Sequence, residues 1–401
     1  DFDLDSISIE LNEFVVQEEA SSSFGLMHMS AVEGMDIYSA KKSEVIIMDQ
    51  IDVNLATNNS RQIYSRIAGL TIWESSAGGL QLDIGGRGLS PNRTSNFNTR
   101  QNGYDIAADA LGYPESYYTP PSEAIERIEV TRGASSLQYG TQFGGVLNFD
   151  LRGPNPDKKM DVLLRQSFGS YGLFNTFNSI GGTNKDIGYY GFINYKQGNG
   201  WRPNSEFNSI VGHAQLHHKI NDKLSYKIEF TKMNYTAQQP GGLTDTLFNR
   251  DAGQSIRERN WFAVDWNVGA VVLSYRLNSK WRFEMRNFGL IGSRDALGIL
   301  GYINRPDPLG KRDLIKDEYL NVGNETRMIH TYNFLGNPNN LLLGVRYYRG
   351  FTKRKQGDGS IDSDANFEYD DSDNPEYSNY RFPSQNIAVF TENVFQFSER
   401  W

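Results

Sequence analysis

From about residue 159 onward, apolar and polar residues alternate with a period of two. In LSYKIEFTK, Leu224, Tyr226, Ile228 and Phe230 fall on one face and Ser225, Lys227, Glu229 and Thr231 on the other. WRFEMR repeats the pattern, with Trp281, Phe283 and Met285 opposite Arg282, Glu284 and Arg286, and in KMDVLLRQSFG the residues Met160, Val162, Leu164 and Phe168 share a face. Side chains alternate across a strand, so each run predicts a strand with one apolar side. About ten such segments begin near residues 159, 173, 187, 207, 223, 265, 280, 325, 340 and 385. Each is close to the 9–11 residues that a tilted membrane-crossing strand needs. Their connections differ in length: tight around Asn221 and Ser279, long and polar over 236–262, 295–324 and 352–384. Short turns on one side and long loops on the other predict a transmembrane antiparallel β-barrel. A soluble sandwich would favour shorter strands and more even loops.

The first 150 residues follow another pattern. SEVIIMDQIDV (43–53) reads as a strand. SRQIYSRIAGL (60–70) reads as a short helix with Ser60 as N-cap, Ile63 and Ile67 four apart and Gly69 near its end. In PPSEAIERIEVTRG, Pro121 and Ser122 suit a helix start before IERIEV passes into a strand. These signals predict a mixed α/β domain over 30–153, after an N-terminal extension (1–29) and before a barrel region (154–401). Within the α/β domain, QLDIGGRGLSPNRTSNFNTRQNGYDI (81–106) is rich in glycine and polar residues and poor in core material.

Composition narrows the function classes. The 401 residues carry 48 acidic and 40 basic side chains, a net charge of −8 that argues against nucleic acid as a partner. Cysteine is absent, which excludes disulfides and thiolate metal sites. Aromatic residues abound (22 Tyr, 23 Phe, 6 Trp) while mean hydropathy is −0.55. That combination suits a barrel whose lipid-facing and lumen-facing residues average out. Phosphate-binding loops, dinucleotide fingerprints and nucleophile elbows are missing, so no enzyme is indicated. His213 and His217 would share a strand face about 13 Å apart, too far for one metal. In the acidic loop 356–376, Asp362, Asp364 and Asn366 are spaced like calcium ligands, but the glycine and terminal glutamate of an EF-hand loop are lacking. The expectation is no cofactor, with structural calcium in that loop as the lesser alternative.

The segments AIERIEVTRGASSLQYGTQFGGVLNF (124–149), LDIGGRGLSP (82–91) and NLATNNSRQIYSRIAGLTIWE (54–74) resemble the plug domain of TonB-dependent outer-membrane receptors. RGLSPNRTSNFNTRQNGYDI and ALGYPESYYTPP look most like Bacteroidetes-type receptors grouped with ferric dicitrate and siderophore uptake. The resemblance implies a 22-stranded barrel around a plugged lumen, of which about ten strands, the N-terminal part of an incomplete barrel, lie in this chain. It also implies a plug solvated and hydrogen-bonded on all sides, in which the polar stretch 81–106 stays ordered. It implies TonB-dependent active import of a scarce ligand, most simply a ferric chelate, across the outer membrane of a Gram-negative cell. A glycan or peptide importer, or a receptor subunit in a larger complex with surface lipoproteins, is the alternative. Arg93, Arg100 and Gln101 would face the outside as ligand donors, because guanidinium groups bind carboxylates bidentately; equally, the arginines would pair with barrel carboxylates and only seat the plug. Arg87 and Arg132, each followed by glycine, match plug arginines that the family locks to barrel glutamates, with Glu392 as a partner. Leu11, Asn12, Glu13, Phe14, Val15 and Val16 sit where TonB would pair with an extended segment by strand addition.

Overall fold

The computed structural model describes residues 26–39, 41–74, 77–132, 138–139, 144–370 and 378–396. The first part of the chain folds around a six-stranded mixed sheet. Its order is Leu26–Met27, Ser43–Ile47, Ile125–Arg132, Gly145–Leu151, Phe97–Gln101 and Tyr104–Asp105. Gly145–Leu151 runs antiparallel to Ile125–Arg132 and parallel to Phe97–Gln101. Gly145 has φ +117°, and a Cβ there would sit 1.9 Å from the Thr131 carbonyl oxygen, so the glycine before VLNF is required by that close approach. Helix is scarcer than the pattern predicts. The helix spans only Ser60–Tyr64, capped by Asn59 rather than Ser60, and Asn59 Oδ1 accepts from the Gln62 N–H at 3.0 Å. At Pro121 a single 3-10 turn, Ser122–Ala124, leads straight into the strand.

The second sheet has ten strands in sequence order, each antiparallel to the next, from Asp161–Phe168 to Ser378–Val394. Those two strands are the edges of an arc of barrel wall. At one end the turns are tight, and asparagine builds two of them. Asn221 Oδ1 accepts from the Lys223 and Leu224 N–H groups at 2.9 and 3.0 Å, and Asn278 Oδ1 from Lys280 and Trp281 at 2.9 and 3.1 Å. At the other end lie the connections 239–260, 299–311 and the one that begins at 360, described as far as 370. Two of these are shorter than the sequence suggests, because Arg312–Phe334 and Asn337–Gly359 are strands of 23 residues each. Above the lipid both faces of a strand are polar, so period-two alternation disappears from the sequence although the ladder continues.

Alternation sorts the wall into two surfaces. Outward side chains include Ile193, Ile210, Ile228, Phe230, Val271, Ile291, Leu320, Val345 and Val389, all exposed, an apolar band suited to lipid. Near the tight turns Trp281, His330 and Tyr332 stack in a row, with ring centroids 4.0 and 5.7 Å apart. Inward side chains such as Phe192, Met233, Tyr235, Phe262, Trp266 and Phe288 join Ile46, Ile63, Leu82, Phe97, Ile106 and Ile128 of the first domain in one buried cluster. The first domain therefore seats against the inner face of the wall. The expectation of solvation on all sides is corrected: Phe97–Gln101 is buried throughout, and Asn98, Arg100 and Gln101 bond to protein partners rather than to water.

Candidate functional site

Two arginine clusters join the domains. The deeper one centres on Glu325, midway down the Arg312–Phe334 strand. Arg100 donates to both of its carboxylate oxygens, Nη2 to Oε1 at 2.8 Å and Nη1 to Oε2 at 3.1 Å, and lies 3.3 Å from Asp105. Arg327 Nη2 reaches Glu325 Oε2 at 2.9 Å and also pairs with Asp36. Arg346 pairs with Asp105. Tyr139 lies beneath two of these cations, its ring centroid 4.8 Å from the Arg100 guanidinium and 5.2 Å from that of Arg327. Arg100, Glu325 and Arg327 are all fully buried. Each charge has a partner, and removing any one would leave another buried and uncompensated.

The second cluster lies eight residues up the same strand, ~27 Å at the usual rise, toward the long connections. Asp317, fully buried, accepts from Arg354 Nε and Nη2 at 2.7 Å each and lies 2.5 Å from Arg294 Nη2. From the plug side comes Arg93, held in the left-handed region (φ 48°) with its N–H donated to Asp83 Oδ1 at 2.6 Å. Its Nη1 donates to Glu115 Oε2 at 2.7 Å and to the Tyr117 hydroxyl at 3.1 Å. Phe262 and the stacked rings of Tyr117, Tyr319 and Tyr113 floor the cluster, with Arg93 5.1 Å over Tyr117 and Arg354 5.2 Å over Tyr113. Burial alone would raise the Glu115 carboxyl, but Arg93 and the Tyr117 hydroxyl outweigh it and hold it below the ordinary carboxylate range. Burial pushes the Tyr117 phenol up, so it stays a neutral donor. Arg93 and Arg354 keep 24% and 31% of their side chains exposed, so both can exchange a partner for an incoming anion.

Comparison with known proteins bears on both clusters. Residues 19–146 match the family model of the TonB-dependent Receptor Plug Domain. The unliganded ferric citrate transporter FecA superposes with a TM-score of 0.75 at 20% identity, over 89% of this chain and 54% of that one. Residues 19–146 match a TonB-dependent receptor plug domain, and the chain as a whole shares the plug-and-wall fold of the structures it superposes on. P. aeruginosa FpvA in complex with ferric pyoverdine matches with a TM-score of 0.70 at 14% identity, covering 90% and 50%. The ferric-catecholate import receptor Fiu of E. coli K12 matches at 0.69 and 14%, covering 90% and 57%. The receptor chain thus spans about half the length of the structures it matches.

The receptor distributes the sequence-predicted residues unevenly. Arg93 stands in the upper cluster, part-exposed and paired with Glu115. Arg100 follows the seating alternative, and neither it nor Gln101 faces the outside. Arg100 is sealed in the lower network, and Gln101 is bonded to Tyr104, Thr231 and Tyr118 at 2.8, 3.0 and 2.8 Å, out of reach of solvent. Both lie on Phe97–Gln101, a central plug strand rather than a loop, because the ladder to Gly145–Leu151 continues through them. The locking assignments also change. Arg87 is exposed at φ 58° in the turn before Gly88, with no ion pair to a described residue. Arg132 pairs at 2.9 Å with Glu44 of the neighbouring plug strand, not with the barrel. Glu392 does join barrel to plug, but through Lys41 at 2.7 Å and Gln138 at 3.1 Å. Leu11 to Val16 lie outside the described residues. In the acidic loop, Asp364 meets Arg312 at 3.4 Å, and among the described residues no group of three or more His, Asp or Glu is placed to hold a metal ion.

The residues that sequence reading missed are the barrel partners: Glu325, Arg327, Arg346, Arg294, Asp317 and Arg354. One signal was present. Glu325 and Arg327 share the inward face of a strand whose other inward residue nearby is Ile329, an unusual place for two charges.

Proposed function

We propose that this receptor imports a scarce anionic ligand, most simply a ferric chelate, across a Gram-negative outer membrane with energy delivered through TonB. The observation that carries this reading is the upper cluster: two part-exposed guanidinium groups, one from plug and one from barrel, over a floor of tyrosines at the long-connection end. Arginine's planar fork suits carboxylate or catecholate oxygens, and the tyrosine hydroxyls supply neutral donors beside it. An anion bound there would compete with Glu115 for Arg93 and with Asp317 for Arg354. It would thereby alter the contacts that hold the plug loop 92–94 to its surroundings, while the buried Glu325 network still anchors the plug. Residues Leu11 to Val16 are the proposed TonB-contacting segment, by strand addition. The neighbours whose names include ferric citrate, ferric pyoverdine complexes and ferric-catecholate import support the ligand class.

The experiment is a titration of the full-length receptor in detergent with ferric citrate and with iron-free citrate, paired with radiolabelled iron uptake in cells. Ferric citrate should bind with Arg93→Ala and Arg354→Ala each weakening it. Deletion of 11–16 should abolish uptake and leave binding unchanged. Saturable binding of a neutral glycan or peptide in place of any ferric chelate would transfer the cargo assignment to the alternative importer class.

A further inference from the structure

A groove of about 460 Å³ opens on the outer side of the barrel wall, near the long connections. Its side chains Tyr195, Gln197, Asn208 and Trp261 point away from the plug, because their chain neighbours point at it. Lys196 Nζ donates to the plug carbonyl of Gly78 at 2.9 Å, Phe207 lies against Gly78 itself, and the Phe262 ring centroid is 5.2 Å from the Arg93 guanidinium.

The opposite bank is the connection that follows Gly359, which folds back across the strands it leaves. Trp261 Nε1 donates to the Ser363 carbonyl at 2.7 Å, Arg312 reaches the Ser360 and Asp364 carbonyls at 2.9 and 2.6 Å, and Lys316 Nζ reaches the Phe367 carbonyl at 3.0 Å. These bonds bring Ala365 into the groove. On the same strands, the next outward residues toward the membrane are Ile193 after Tyr195 and Ile210 after Asn208, both exposed. The groove therefore lies just beyond the apolar band, at the height of lipid headgroups.

Its chemistry restricts the occupant. The lining offers the rings of Tyr195, Phe207 and Trp261, the amides of Gln197, Asn199 and Asn208, the Thr236 hydroxyl and the carboxylate of Glu206, with no lysine or arginine. A phosphate or carboxylate ligand would meet a like charge and no cation. A bare acyl chain would bury amides without partners. What fits is a neutral polyhydroxyl compound, with C–H faces against the rings and hydroxyls bonded to the amides. The volume lies within the roughly 300–1,000 Å³ of small-ligand sites. An interfacial girdle alone would present rings to lipid, without the amides and without a loop closing over them.

We propose that this groove holds the neutral saccharide headgroup of an outer-leaflet glycolipid, whose tails lie along the apolar band beneath it. The assignment rests on the reading of the wall as an outer-membrane barrel. Its test uses the full-length receptor, delipidated by detergent exchange and titrated calorimetrically with the uncharged, phosphate-free oligosaccharide fraction released by deacylation of its own outer-membrane glycolipid; the anionic fraction should not bind. Saturable binding of the uncharged fraction is expected, weakened about tenfold or more by Tyr195→Ala and by Asn208→Ala. Neither variant should change the unfolding temperature or ferric citrate binding. Trp261 is left intact because its ring N–H holds Ser363. Absence of saturable saccharide binding, or binding undiminished in both variants, overturns the proposal. So does binding of intact glycolipid that both variants leave unchanged, because that is tail adhesion to the wall. Loss of every ferric-chelate interaction with saccharide binding retained would sink the import reading and leave the groove standing.

Discussion

Arg93 and Arg100 come from one plug segment, and each faces a carboxylate. Arg100 meets Glu325 where neither side chain touches water, whereas Arg93 meets Glu115 with about a quarter of its side chain exposed. The residue types are nearly the same and the consequences opposite. A sealed ion pair cannot change partner without stranding a charge in a dry interior, so it fastens plug to wall. A half-wet pair exchanges with solvent or with an incoming anion at modest cost, so it can bind. Exposure, more than residue identity, separates the lock from the ligand site.

The largest effect should come from opening the lock. Glu325→Ala leaves Arg100 and Arg327 without their shared acceptor and should destabilise the seated plug by about 3–5 kcal/mol. Denaturant titration, or the protease concentration that cleaves the plug, measures this. An unchanged midpoint would show that the deep cluster does not fasten the plug.

Next comes the ligand site. Arg354→Ala removes a charged donor from the upper cluster and should weaken ferric citrate by about 1.5–3 kcal/mol, roughly 10- to 150-fold, with the plug as firmly seated as before. Equal losses in Arg354→Ala and Glu325→Ala, for both ligand and plug seating, would erase the distinction between the clusters.

A smaller effect is expected at the edge. Lys41→Ala breaks the part-exposed pair with Glu392, which should loosen the plug by about 1 kcal/mol or less.

The smallest test is acid. The Glu115 carboxyl lies below its ordinary value, so its contribution to stability is present above the unfolded value of about 4.3 and is lost as pH falls through the lower folded value. Ligand affinity and plug stability should both be flat between pH 7 and about pH 5 as far as Glu115 governs them. An unfolding midpoint that moves in that window in the wild type but not in Glu115→Gln would contradict this assignment.

Much of the fold was legible beforehand because its period is local. The ten segments named from alternation correspond to the ten strands of the second sheet, and the asparagine turns at 221 and 278 were recognisable from chemistry within four residues. The lengths of Arg312–Phe334 and Asn337–Gly359 were not legible, because above the lipid a paired strand and a polar loop have the same composition. Likewise, nothing within ten residues of Arg100 distinguishes a surface donor from a buried one. Its fate was decided by Glu325, 225 residues away in the chain.

By itself, then, the sequence determined the class of architecture: which segments are strands, which side of each meets lipid, and that a plug precedes the wall. The strands and their lipid side follow from side-chain alternation, which acts over a few residues; the plug followed from the resemblance of its motifs to a known family. Tertiary structure alone decided which arginines lock and which can bind. Burial and partner choice depend on the seating of plug against wall, and charge in a protein takes its meaning from how much water reaches it.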